Sequence, residues 1–97
     1  MDYKIFWSDE SLENLDSILS YLEEEWTSKE IEKFKSKLGK QIQLITGNPK
    51  IFPVSQFQPR LRKAVLSRHT TIFYEINGNQ IYIAYLFSNR MNINKIR

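Results

Sequence analysis

"TTIFYEINGNQIYIAYLF", residues 70–87, decides the fold. Two runs rich in β-branched and aromatic residues, Thr70 to Ile76 and Gln80 to Phe87, flank a polar centre holding Asn77 and Gly78. Such side chains suit a pleated, half-buried surface, and Asn-Gly accepts the positive φ of a two-residue type I′ turn. The stretch predicts a β-hairpin. Strict alternation puts Ile81, Ile83, Tyr85 and Phe87 on one face of its second strand and Tyr82, Ala84 and Leu86 on the other. Both faces are apolar, so helices covering one leave the second exposed to a partner.

Working back from the hairpin, Leu61 to Ser67 is a third β-rich run. Residues 48–60 hold all three prolines, at 49, 53 and 59, and read as an irregular connector. Before the connector the period changes to that of helices. Ile31, Phe34, Leu38, Ile42 and Ile45 form one apolar stripe, opened by Thr27 with Glu30 as a capping box and closed by Gly47, Asn48 and Pro49. Leu12, Leu15, Ile18, Leu19 and Leu22 form another over residues 9 to 25, with Ser8 as cap and Asp9 and Glu10 at the positive end of the dipole. Trp7 with Leu12 and Trp26 with Ile31 are placed for hydrophobic staples. Tyr3, Ile5 and Trp7 alternate as a short first strand. The order strand, helix, helix, then three strands predicts one α+β domain over residues 1–97. It is a two-layer β-α-α-β-β-β arrangement with a helical hairpin packed on a mostly antiparallel sheet.

Hydrophobic residues at 41% and charged residues at 26% fit a chain with a packed core. There is no cysteine and a single histidine, so neither a disulfide framework nor a zinc tetrad is expected, and no cofactor motif is present. No run of about 18 uncharged apolar residues suggests a membrane span, and a cytoplasmic location is the expectation.

The net charge of +3 conceals a division. Residues 1–48 carry six Lys against ten Asp or Glu, whereas residues 49–97 carry eight Lys or Arg against Glu75 alone. Within "RLRKAVLSRH", residues 60–69, stand Arg60, Arg62, Lys63, Arg68 and His69. Crowded cations of this kind suit a phosphate backbone or an acidic protein, and arginine in particular favours planar bidentate contacts. With Arg90 after the last strand, they would form a basic floor at one end of the sheet if strands two and four lie close. The plainer reading is a solvated charged surface. His69 has the intrinsic pKa of a general base, although a lone histidine at a strand junction is more often structural. Tyr74, Tyr82 and Tyr85 suit base stacking or, more plainly, core and interface. Glu23, Glu24 and Glu25 lack the spacing of a catalytic pair and read as a solvated face.

"SDESLENLDSILSYLEEEW", the second helix and "LRKAVLSRHTTIFYEINGNQIYIAYLFSNR" together resemble the RelE/ParE superfamily of toxins from bacterial type II toxin–antitoxin modules, over residues 3 to 92. The resemblance rests on the Ser-Asp-Glu opening of the first helix, Leu61-Arg62, "IFYEI" with Tyr74, and Arg90. It implies a toxin neutralised by a cognate antitoxin whose C-terminal segment wraps around it. Two activities follow from it. A RelE-like toxin would cleave mRNA on the ribosome, with Arg62, Arg68, Arg90 and His69 as its catalytic candidates. A ParE-like toxin would inhibit DNA gyrase, using Arg60, Arg62, Lys63, Arg68, Tyr82 and Arg90 to bind target or antitoxin. RelE-like toxins place a tyrosine soon after the arginine, where this chain has Ile96, and "SRHTT" departs from their pattern. "FPVSQFQPRLRKAVL" is closer to the ParE-like branch, which is therefore the favoured reading. A plain nucleic-acid-binding module would use the same cations, with an affinity that falls steeply with salt.

Overall fold

Ser8 determines where the first helix starts. Its Oγ accepts from the Ser11 amide at 2.9 Å, and Asp9 and Glu10 occupy the first turn, so two of the orphan features of a helix N-terminus are met locally. Thr27 repeats the device, its Oγ1 accepting from the Glu30 amide at 3.3 Å. The computed structural model describes residues 3–89. Along them run β1 (Lys4–Trp7), α1 (Asp9–Glu25), α2 (Ser28–Gly47), β2 (Arg62–Val65), β3 (Thr70–Asn77) and β4 (Gln80–Ser88). Only Trp26 and Thr27 separate the helices, as the spacing predicts.

The four strands lie in the order β1-β4-β3-β2, with β1 parallel to β4 and the other pairs antiparallel. The hairpin turn falls one residue later than expected. Asn77 pairs with Gln80, so Gly78 and Asn79 make the turn, and Gly78 at φ 64° is the one described residue with positive φ. A single positive φ at the first central position is the pattern of a type II′ turn, which glycine adopts without steric cost, and not of type I′. β2 is shorter than the β-rich run because the Leu66 and Ser67 amides both donate to the Thr70 carbonyl and turn the chain.

Strict alternation fails in β4. Phe73 pairs with Tyr85 but Tyr74 pairs with Ile83, so Ala84 is an extra, bulged residue. The parity of everything beyond it is reversed. Leu86 and Ser88 join Ile81 and Ile83 on the buried face, while Tyr85 and Phe87 join Tyr82 on the outer one. α1 satisfies the backbone that the bulge disturbs: Ser8 Oγ donates to the Ala84 carbonyl at 2.6 Å, and the Leu86 amide donates to Asn14 Oδ1 at 2.9 Å.

The helices cover the inner face. Ile18 and Leu22 of α1 and Leu38 and Ile45 of α2 bury against Ala64, Ile72, Tyr74, Ile81, Ile83 and Leu86. Ile31, Phe34 and Ile42 complete the expected stripe of α2, half-buried against this core. The stripe of α1 begins later than expected, since Leu12 is half exposed.

Candidate functional site

The connector is tied down by two residues of the sheet. Tyr74 is fully buried and its hydroxyl donates to the Pro49 carbonyl at 2.6 Å. Burial pushes this phenol up to about 12, while the Arg62 charge pulls the other way. Arg62, opposite Tyr74 across the β2–β3 ladder, donates through Nη1 to the Phe52 carbonyl at 2.7 Å and to that of Lys50 at 3.4 Å. The Lys63 amide reaches the Pro53 carbonyl, and Ser55 donates to Leu61. A proline-rich segment with few ladder partners thus acquires a fixed path.

The other candidate cations separate in space. Arg60 is exposed just before β2, lining a surface hollow with Gln58, Tyr82 and Tyr85. Lys63 is exposed on the outer face, paired with Phe73. Arg68 and His69 sit in the β2–β3 turn, at the opposite end of the sheet. Five residue steps along the chain separate Tyr74 from His69, roughly 16 Å at about 3.3 Å per step. β2 and β4 are not neighbours, because β3 lies between them, and the basic run divides between two ends instead of making one floor. Arg90 lies outside the described residues.

His69 is held by the residue that follows β4. Its Nδ1 lies 2.9 Å from Asn89 Oδ1, while Asn89 Nδ2 donates to the Arg68 carbonyl and the Asn89 amide donates to that of His69. With Asn89 Oδ1 as acceptor, Nδ1 carries the proton and Nε2 is left as the basic atom of the neutral ring. The same histidine lines a groove of about 170 Å³ between the helical hairpin and the β2–β3 turn.

The outer face of the sheet is aromatic. Phe6 of β1 pairs with Tyr82 of β4, each 44% exposed, and Phe73 stacks on Tyr85 with ring centroids 4.7 Å apart. Phe87 and Val65 extend the patch. The connector closes one corner, where Gln58 Oε1 accepts from the Tyr85 hydroxyl at 3.2 Å and Leu61 is buried. The rest is open, which is the partner-seeking second face that the apolar β4 run foretold.

The sequence pattern described as "ParE toxin of type II toxin-antitoxin system, parDE" matches residues 5–93. The chain belongs to the ParE toxin family. Among solved structures, the fold is similar to a chain of the chromosomal ParDE TA system from P. aeruginosa, at TM-score 0.74 and 17% identity over 89% of this chain and 95% of that one. It is also similar to YafQ of E. coli (TM-score 0.63, 11% identity, 93% and 97% covered) and to YoeB of Staphylococcus aureus (TM-score 0.61, 15% identity, 90% and 97% covered). At these identities the structures share the fold alone. No curated protein matches the chain.

This ParE-family chain is the toxin of a type II toxin–antitoxin system, and such systems imply a cognate antitoxin. Its fold is the two-layer α+β arrangement that the sequence predicts. No described helix is long and apolar enough to cross a membrane. Of the residues singled out from the sequence, the structure brings together Arg62 and Tyr74, and Arg60 and Tyr82. It does not bring Arg62 to Arg68 and His69. Asn14, Gln58 and Asn89 were missed: each is a polar residue whose partner lies at least 20 positions away.

Proposed function

We propose that this ParE-family toxin inhibits DNA gyrase by binding it, and that the antitoxin blocks that encounter. The observation that supports this reading is that Arg62, one of the cations a RelE-like chemistry would draw on, is held at the opposite end of β2 from Arg68 and His69. Phosphodiester cleavage through a 2′-hydroxyl needs a proton acceptor and cations within a few ångströms of one phosphate. Here the Arg62 guanidinium is committed to connector carbonyls at one end of β2, and His69 is fixed to Asn89 at the other. An aromatic face with cations at its margins, from Arg60 and Lys63, suits protein binding instead. On this reading the toxin works in the cytoplasm, without a cofactor.

Purified gyrase supplies the test. Antitoxin-free toxin at stoichiometric excess should abolish supercoiling of relaxed plasmid, and added antitoxin should restore it. Undiminished supercoiling, together with new mRNA ends on stalled ribosomes, would replace this reading with the RelE-like endonuclease.

A further inference from the structure

Glu75 is the one carboxylate of residues 49–97, and neither the core nor the basic margins of the sheet use it. It stands half-buried on the outer face of β3, opposite Tyr82 of β4, which in turn lies opposite Phe6 of β1. The three side chains form a row across strands spaced about 4.8 Å apart. Asn77 and Gln80, at the end of the hairpin, complete the lining of a hollow over this row. No cation lines the hollow, and the Glu75 carboxylate makes no ion pair among the described residues. Lys63 pairs with Phe73, two positions along β3, and stays outside it.

A carboxylate beside two open aromatic rings is complementary to a cation, and the arrangement suits a guanidinium better than an ammonium. A guanidinium is flat, so it stacks on a ring face while its edge presents paired donors to a carboxylate. An ammonium is a compact, strongly hydrated point charge that does not meet both demands at once. We propose that Glu75, Tyr82 and Phe6 form a seat for one arginine side chain of the toxin's target, with the guanidinium against the Tyr82 ring and its donors on the Glu75 carboxylate. The assignment rests on reading the outer face as the surface that meets gyrase, and it names the chemistry that this face selects. Arg60, which lines a neighbouring hollow with Tyr82, and Lys63 repel additional cations. The seat therefore selects a single arginine and not a basic stretch.

Inhibition of purified gyrase, titrated with full-length toxin, tests the seat. Glu75→Gln keeps the shape and removes the charge, and should raise the half-inhibiting concentration by about tenfold or more, since an interfacial charge would lose its partner. Glu32→Gln makes the same change at an exposed position of α2 and should leave that concentration within about twofold. A second measurement needs no variant: N-acetylarginine amide at millimolar concentration should shift the ring resonances of Tyr82, and the lysine analogue should shift them less. Wild-type toxin that leaves supercoiling intact overturns the target reading and this assignment with it. Equal inhibition by wild type and by folded Glu75→Gln overturns the seat alone, as do equal shifts with the two amides. A wild type that is dimeric where Glu75→Gln is monomeric gives the seat to a second copy of the chain and likewise overturns the assignment.

Discussion

The phenol of Tyr74 is sealed in the core, donates to the Pro49 carbonyl, and is pushed up to about 12 by burial. An unfolded chain returns it to the ordinary value of about 10. Between these values the unfolded state loses the proton and the folded state keeps it. The contribution to stability is therefore whole below about pH 10 and is lost as pH rises through about 12. Tyr74→Phe should cost about 1 to 2 kcal/mol at neutral pH, because it orphans a buried carbonyl. The variant should also lose less stability than wild type between pH 10 and 12, as measured by urea unfolding across that range. Arg62 belongs to the same unit. Both bonds come from Nη1 at the tip of a long planar group, a reach and orientation that the shorter, more strongly hydrated lysine ammonium does not reproduce, so Arg62→Lys should speed hydrogen exchange and proteolysis across residues 50–55 while the helices stay protected.

At the scale of elements, the bulge in β4 decides which side chains face a partner. With the extra residue at Ala84, Tyr85 and Phe87 lie on the outer face and Leu86 completes the core. The bulge holds because α1 satisfies its backbone, so Asn14→Ala, which strands the Leu86 amide, should cost about 1 to 2 kcal/mol. Amide exchange at Leu86 checks this, since it should accelerate more than exchange at Ile72. Ser8, Thr27 and the helical stripes were legible in the sequence because a cap and its partners lie within three or four residues of one another. The bulge was not, because parity depends on a ladder partner on another strand and on an α1 side chain 72 residues away. The turn slipped by one residue for a related reason: Asn-Gly and Gly-Asn are both good turn pairs, and only the pairing of Asn77 with Gln80 chooses between them. The candidate site was legible as a density of charge. Its division between two ends of the sheet was not, because a strand of four residues carries Arg62 and Arg68 apart.

For the whole molecule, the two layers present two different surfaces. The helical layer and the β2–β3 turn form a basic-rimmed groove, whereas the outer sheet face offers Phe6, Tyr82 and Phe87 at 42 to 44% exposure. Large apolar groups left this open add little to stability, so their retention calls for an interface. Tyr82→Ser combined with Phe87→Ser should therefore change unfolding free energy by less than about 1 kcal/mol. Hot-spot energies concentrate in buried aromatic anchors, and the same variant should weaken gyrase inhibition by more than about tenfold. Urea unfolding and a supercoiling assay on one preparation measure both. If inhibition survives the double substitution, the outer face is not the target surface and the proposed encounter lies elsewhere on the molecule. If inhibition falls while stability holds, the exposed aromatics serve a partner and not the fold.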